Sequence, residues 1–445
     1  MSTPNILLIL TDQQNFRMMS CAGNPYLRTP AMDSLAETGV RFDRAYCTNP
    51  VCVPSRLSLM TGRMPSHIDL RSNDASHMDS VPPEVRNKGI GWALREAGYE
   101  TLYGGKVHLP HMGAEDVGFD VLTPDCRDVL ASECADYLSG DHRRPFFMVA
   151  SFVNPHDICY MAIRDHMATD SARSLVDRAE RELAELGAAL EIPEGVDREE
   201  FFEKLCPPLP PNHRPQQDEP EAIQGIREQR PFKDNAYRNW SEERWRMHRW
   251  AYCRLTERAD EHIGRVLNAL RESGHEEDTL VIFTSDHGDM DSAHGMEHKT
   301  TLYEEAVHKP LLLSWKGHAP AGVGDGEHLI SNGLDILPTV WDYAGVKLPP
   351  DLPGRSLRPL ISAEGAGDWR ECVKVESEFG RMVCSGRYKY ELYDSGANRE
   401  QLIDLERDPD EMRNMAEEPE YAEVLAEHRR LFQKKFPGVP SHPSA

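Results

Sequence analysis

The chain has 445 residues with 39 % apolar content, enough for one large core or for a large and a small one. Its formal net charge of −24 repels polyanions, which argues against nucleic acid and anionic membranes as partners but leaves room for a small anionic substrate in a local positive pocket. No run approaches the ~20 apolar residues of a membrane span, and the apolar run Asn5–Leu10 is too short for a signal-peptide core, so the expectation is a cytoplasmic chain.

Asn5–Leu10 predicts a buried central strand, followed at once by Thr11-Asp12-Gln13-Gln14. Open α/β sheets gather ligands at the C-terminal ends of their strands, so Asp12 and Gln13 arrive where oxygen ligands for a hard cation would be useful. An Asx turn is the plain alternative for Asp12 alone. Thr29–Gly39 reads as a short helix with Gly as its stop, and Val40–Ala45 as a strand leading to Cys52-Val53-Pro54-Ser55-Arg56. Pro54 suits a first helical turn, which puts Cys52 at a helix N-terminus where N–H groups favour an anion. A buried structural Cys is the competing reading. Asn73 falls in a polar loop twenty-one residues beyond Cys52.

Ile90–Ala97 predicts a helix closed by Gly98, and Tyr99–Tyr103 a strand ending in Gly104-Gly105-Lys106-Val107-His108. If that segment stays extended, Lys106 and His108 face one side, a pair suited to oxyanion binding and proton transfer. Pro145–Phe152 is a further buried strand, delivering Asn154-Pro155-His156. Residues 160–250 change in texture. Ser171–Leu190 reads as one charged amphipathic helix, Cys206–Pro215 as a Pro-rich extended loop, and Trp240, Trp245 and Trp250 fall on different helical faces. The stretch is expected to be an insertion lining the substrate pocket. A long helix over Trp250–Ser273 and a strand over Thr279–Ser285 follow. They lead to Asp286-His287-Gly288, an O,N pair at a strand end suited to a divalent ion, and then to Lys299. Asp335–Thr339 and Pro353–Leu357 look structural. From Cys372 onward, short strands and a terminal helix near Glu420–Phe436 predict a small antiparallel sheet with one helix on it. The ten Cys are scattered without a Cys-x-x-Cys pair and are expected to be reduced thiols.

Cys52-Val53-Pro54-Ser55-Arg56 followed by Thr61-Gly62-Arg63 resembles the signature of the type I sulfatases, within the alkaline-phosphatase-like superfamily. Asp12-Gln13, Gly105-Lys106-Val107-His108, Pro155-His156, Asp286-His287-Gly288 and Lys299 before Tyr303-Glu304 follow the same order, so the resemblance covers nearly the whole chain. Asp335–Thr339, Gly354-Arg355-Ser356 and Asp404-Leu405 with Asp408-Pro409 extend it. It implies an α/β fold: a large mixed, mostly parallel sheet flanked by helices over residues 1–365, and a smaller C-terminal antiparallel sheet plus helix over 366–445.

By that resemblance Cys52 is oxidised to Cα-formylglycine by a formylglycine-generating or anaerobic sulfatase-maturing enzyme. One hydroxyl of the hydrated aldehyde attacks sulfur; deprotonation of the other lets the aldehyde re-form and expel sulfate. Asp12, Gln13, Asp286, His287 and the modified Cys52 would hold a metal, usually Ca²⁺. Arg56 would position the diol, Asp286 help deprotonate the attacking hydroxyl, and His108 take the proton during collapse. His156 and Lys299 would sit by the leaving group, while Lys106 and Lys299 neutralise charge and Asn73 touches substrate. Many members carry Asp where this chain has Gln13 and Asn where it has His287. The imidazole keeps Mg²⁺ or Mn²⁺ open as the metal. The same departure resembles phosphonate monoester hydrolases.

The leading expectation is therefore hydrolysis of a sulfate ester on a small molecule or a saccharide. A phosphonate monoester or phosphodiester hydrolase of the same superfamily is the alternative, and a silent metal-binding protein a third reading. Oligomeric state stays open.

Overall fold

Strand β1 (Asn5–Asp12) sits in the middle of the molecule's largest sheet because every residue from Ile6 to Asp12 is buried. The computed structural model describes residues 3–362, 365 and 367–439. Residues 1–2, 363–364, 366 and 440–445, which belong to the expected catalytic and C-terminal segments, lie outside the described residues. By its contacts the chain forms two units. The first takes residues up to Pro155, Thr256–Gly288 and His308–Arg370; the second takes His156–Leu255, Asp289–Val307 and Glu371 onward.

The first unit is built on an eight-stranded sheet. Besides β1 its strands are β2 (Gly39–Phe42), β3 (Glu100–Gly105), β4 (Asp120–Thr123), β5 (Phe146–Pro155), β6 (Thr279–Ser285), β7 (Leu311–Ser314) and β8 (Val323–Asp325). Their order is β8-β2-β7-β6-β1-β5-β3-β4, and every pairing is parallel except those of β7. The expected mixed, mostly parallel sheet is thus present.

Both faces are covered, and the alternation of β1 shows how. Ile6, Leu8 and Leu10 pack into one apolar cluster, Leu7 and Ile9 into another. Helix α1 (Pro30–Glu37) covers the Leu7 face; α2 (Cys52–Thr61) and α3 (Ile90–Glu96) cover the Leu8 face. Helix α4 (Asp128–Leu138) and the Ile263–Leu270 part of α5 (Glu242–Glu272) join α1; α6 (Asn332–Tyr343) joins α2 and α3.

The expected strand Val40–Ala45 divides. Gly39–Phe42 stays in the main sheet, while Ala45–Tyr46 pairs with Ile330–Ser331 and His308–Lys309 in a separate three-stranded sheet. The chain turns between them at Asp43, whose N–H donates to Asp325 O at 2.8 Å.

Asp335, buried in α6, explains why its surroundings look structural. It accepts from the N–H groups of Ser331 and Arg355, each at 2.8 Å, and from both terminal nitrogens of Arg370 at 2.5–2.6 Å. At Gly354 a Cβ would come within 1.8 Å of Leu334 O, so only glycine lets the loop close on the helix. Asp335→Ala should lower stability by about 3–5 kcal/mol, because it strands a buried guanidinium and two N–H groups. A denaturant midpoint equal to wild type would contradict this role.

In the second unit, β9 (Val373–Glu376), β10 (Gly380–Cys384), β11 (Tyr388–Tyr393) and β12 (Glu400–Asp404) form an antiparallel meander. Helix α7 (Ala422–Lys435) packs on it through Leu425 and Phe432 against Tyr390 and Leu402. The single helix expected over Ser171–Leu190 is two, Asp170–Asp177 and Glu180–Ala189. Ala179 leaves helical backbone angles (φ −100°, ψ 42°) and is buried at the turn. Trp245 packs with Ala162 and Ala236, and Trp250 with Phe201 and Cys206, so the tryptophans do serve different faces. All ten Cys are free thiols. Among the described residues no helix is long and apolar enough to cross a membrane.

Candidate active site

Parallel pairing brings the C-terminal ends of β1, β5, β3 and β6 to one sheet edge. Asp12 is in register with Pro155, Thr11 with Ser285 just before Asp286, and Gly105 just before Lys106 with Ser151. The N-terminus of α2 supplies the remaining group. Cys52 is its first residue, and Ser55 N–H makes the first intrahelical bond, to Val51 O at 3.2 Å.

Four side chains converge there. Cys52, Asp12, Asp286 and His287 are all buried, and one ligand-type atom from each lies within 4.8 Å of the others. Cys52 Sγ is 3.1 Å from His287 Nε2 and 3.7 Å from Asp12 Oδ1. His287 Nε2 is 3.6 Å from Asp286 Oδ1 and 3.9 Å from Asp12 Oδ1. His287 Nδ1 lies 3.0 Å from Gly288 O, and a carbonyl only accepts, so the ring proton is on Nδ1 and the Nε2 lone pair faces the cluster.

Arg56, one helical turn after Cys52, organises both carboxylates. Its Nε donates to Asp286 Oδ2 at 2.8 Å and its Nη2 to Asp12 Oδ2 at 2.9 Å. Nη1 donates to Lys106 O at 2.7 Å and Ser151 Oγ at 2.9 Å. Each carboxylate thus uses one oxygen on Arg56 and turns the other toward His287. Lys106 Nζ adds a 2.8 Å ion pair to Asp12 Oδ2. Two cations balance two anions, and the two inward oxygens and one imidazole nitrogen fit a divalent cation.

The electrostatics follow. Burial raises the Asp286 carboxyl above its ordinary value, with Asp12 adding to the shift and His287 and Arg56 opposing it. Burial disfavours the Arg56 charge, but Asp286 and Asp12 outweigh it and hold the guanidinium ionised. Asp286 Oδ1 also accepts from the N–H groups of Gln13 at 3.1 Å and His287 at 2.8 Å. Gln13 is buried with φ +69°, a left-handed turn immediately after the strand.

Two expectations change in detail. The segment after β3 does not stay extended: Gly105 has φ +92° and His108 φ +49°, so alternation does not align Lys106 with His108. A Cβ at Gly105 would meet Ser151 O at 2.0 Å, which is why the chain can bend against β5 there. Lys106 is drawn in to Asp12, whereas His108 is exposed. Asn73 places Oδ1 2.9 Å from the N–H of Val53, where it satisfies a first-turn donor of α2. His156, directly after β5, and Lys299, which is buried, both belong to the second unit.

Sequence reasoning missed the serines that support this site. Ser55 Oγ donates to Asp286 O at 2.6 Å, and Ser151 Oγ, while accepting from Arg56, donates to Lys106 O at 2.8 Å. Ser55 lies between Cys52 and Arg56, one step from a usable signal; Ser151, inside a strand of apolar residues, offered only its polarity.

Residues 4–346 match the family described as Sulfatase, and residues 292–436 match the description N-sulphoglucosamine sulphohydrolase, C-terminal. This chain belongs to the sulfatase family. It is a hydrolase of sulfate esters, and the cluster at the start of α2 is where the family likeness meets geometry suited to that chemistry. This sulfatase is 30 % identical to the Δ4,5-hexuronate-2-O-sulfatase of Bacteroides thetaiotaomicron, over 96 % of this chain and 88 % of that one. It is 28 % identical to the choline-sulfatase of Rhizobium meliloti, over 94 % of this chain and 83 % of the relative. A solved 2-O GAG sulfatase superposes with TM-score 0.81 at 28 % identity, covering 98 % of this sulfatase and 92 % of that chain. The phosphonate monoester hydrolase of Agrobacterium radiobacter has TM-score 0.72 at 21 % identity over 97 % of this chain and 95 % of its own, a likeness of fold alone.

Proposed function

We propose that this sulfatase removes a sulfate ester from a saccharide, using Cys52 after its conversion to formylglycine by a maturing enzyme. The observation that carries the reading is Cys52 at the first turn of α2, 3.1 Å from His287 and faced by two carboxylates that Arg56 holds apart. A hydrated aldehyde at position 52 supplies a hydroxyl nucleophile and a second hydroxyl through which sulfate can be expelled. A divalent ion held by Asp12, Gln13, Asp286, His287 and residue 52 supplies charge neutralisation for the sulfuryl oxygens. Ca²⁺ is the first choice, with Mg²⁺ or Mn²⁺ the alternatives that the imidazole admits.

The chain's own groups divide the remaining work. Arg56 orients residue 52 and offsets its charge. Asp286, raised by burial and by Asp12, is a base of suitable strength for the attacking hydroxyl. Lys106 gives positive charge beside Asp12, and His108 accepts the proton when the second hydroxyl ionises. His156 and Lys299 serve the leaving group. Asn73 already commits Oδ1 to Val53, so its substrate contact would come from the amide nitrogen. The stretch 160–250 selects the substrate, and the division at residues 365 and 366 belongs to the same proposal. The saccharide class is supported by the relative named for a hexuronate 2-O-sulfate and by the 2-O GAG sulfatase.

The test has two readouts. Mass spectrometry of the Cys52 peptide from active protein should find an aldehyde in place of the thiol; an intact thiol on fully active protein would sink the formylglycine assignment. Values of kcat/KM should rank a 2-O-sulfated unsaturated hexuronate above choline sulfate and above an aryl phosphonate monoester. A phosphonate preference would move the assignment to that chemistry, with Gln13 and His287 the first residues to exchange. Chelation should remove activity and lower the melting temperature, and Ca²⁺ should restore both. Asp12→Asn should blunt that thermal response to Ca²⁺, and an undiminished response would remove Asp12 from the ligand set.

A further inference from the structure

The second unit holds a buried cation that no step above uses. Lys233 lies in the first turn of the helix Pro231–Asn239 and is only 9 % exposed. Among the described residues its ammonium has no hydrogen-bond or ion-pair partner. Burying an unpaired ammonium is costly, and natural cores avoid it unless a ligand completes the pair. The neighbourhood makes the cost larger. Phe232 lays its ring 5.4 Å from that of His298, the residue beside Lys299, and His298 and Lys299 are themselves buried. His298 feels the charges of Lys233, Lys299, His248 and His156 together, so these groups share one region. Burial brings the Lys233 ammonium down to about 8, with Lys299 and Arg230 adding to the shift and Cys159 and Glu378 opposing it. The N–H groups of the first helical turn add further positive potential.

We propose that Lys233 recognises a second anionic group on the substrate, a carboxylate or a further sulfate carried by the same sugar as the sulfate ester. The proposal rests on the reading above in one respect: Lys299 is taken to face the substrate. Lys299 then serves the ester being cleaved, and Lys233 pairs with the neighbouring anion. This separates the natural substrate from a simple aryl sulfate, which has nothing to offer Lys233. A charge-assisted contact in a water-poor site discriminates strongly against an analogue that lacks the anion, because the ammonium is then left unpaired.

The experiment uses mature, metal-loaded protein and four substrates: an aryl sulfate, a 2-O-sulfated unsaturated hexuronate, the methyl ester of that hexuronate, and glucosamine 2-N,6-O-disulfate. In wild type, methyl esterification should lower kcat/KM by about 10- to 100-fold, mainly through KM, if the anion is the carboxylate. If it is the second sulfate, the disulfate is the better substrate and esterification matters little. Lys233→Met should lower the kcat/KM ratio of the preferred anionic substrate to the aryl sulfate by the same factor, and Lys233→Arg should recover part of it. The ester comparison needs no mutant, so a folding defect in Lys233→Met does not block the test. An unchanged ratio in Lys233→Met, or a wild type that prefers the aryl sulfate over both anionic sugars, overturns the proposal and leaves the sulfatase chemistry intact. Absence of Cys52-dependent turnover of every sulfate ester would instead overturn the reading on which it rests.

Discussion

Cys52→Ala is expected to reduce sulfate-ester turnover on the order of 10,000-fold or more, with the protein still folded. The size of the effect follows from what the side chain does: no neighbouring group can replace it as the attacking centre. Asp12 and Asp286 are tied to Arg56, and His287 presents Nε2 to the cluster with its ring proton held by Gly288 O. The structural cost is small, because the substitution removes one sulfur from a helix whose other nine residues are also buried. A loss of about 1–2 kcal/mol is the expected upper range. The measurement is kcat on an aryl sulfate beside thermal unfolding of the same preparation. Turnover within tenfold of wild type would remove Cys52 from the nucleophile's position. Loss of activity together with collapse of the unfolding transition would make the residue structural instead.

Arg56→Met should produce the largest loss of stability in the site. The guanidinium is 1 % exposed and donates to Asp12, Asp286, Ser151 and the Lys106 carbonyl. Methionine has similar length but no charge, so Asp286 loses its ion-pair partner and Asp12 keeps only Lys106. Breaking a buried pair from one side costs about 3–5 kcal/mol, more than the pair itself contributes. Two dependences identify this cause. Added Ca²⁺ should recover part of the loss, since a divalent ion compensates the same oxygens. The pH dependence has a definite sign. Unpaired burial raises a carboxyl's folded pKa above its unfolded value, so the folded state binds more protons and stability falls as pH rises through that pKa. The variant's deficit should therefore be smaller near pH 5 than near pH 8. A deficit independent of both Ca²⁺ and pH would mean that Arg56 matters through packing rather than charge.

Much of this site is legible along the chain because a parallel sheet has a simple rule. Each buried strand delivers its next polar residue to the same edge, so Asp12 and Asp286 could be grouped without coordinates. Residue 52 could be set at a helix start from Pro54 alone. The strand and helix assignments that held were those with unambiguous apolar runs, such as Asn5–Leu10 and Thr279–Ser285. Those that changed lacked such a signal. Nothing local says that Val40–Ala45 serves two different sheets, or that a charged stretch breaks at Ala179 to bury it.

The order of the motifs, the sheet edge they share and the family are therefore properties of the sequence. The tertiary structure decided which oxygen of each carboxylate faces the cluster, since Arg56 meets Asp286 across 230 residues and Asp12 across 44. It also bent Lys106 and His108 apart, assigned Asn73 to a helix N-terminus, and left Lys233 buried without an anion. These outcomes depend on what lies opposite a side chain once distant segments pack. Periodicity and spacing record only which face a residue joins, not which atom it meets.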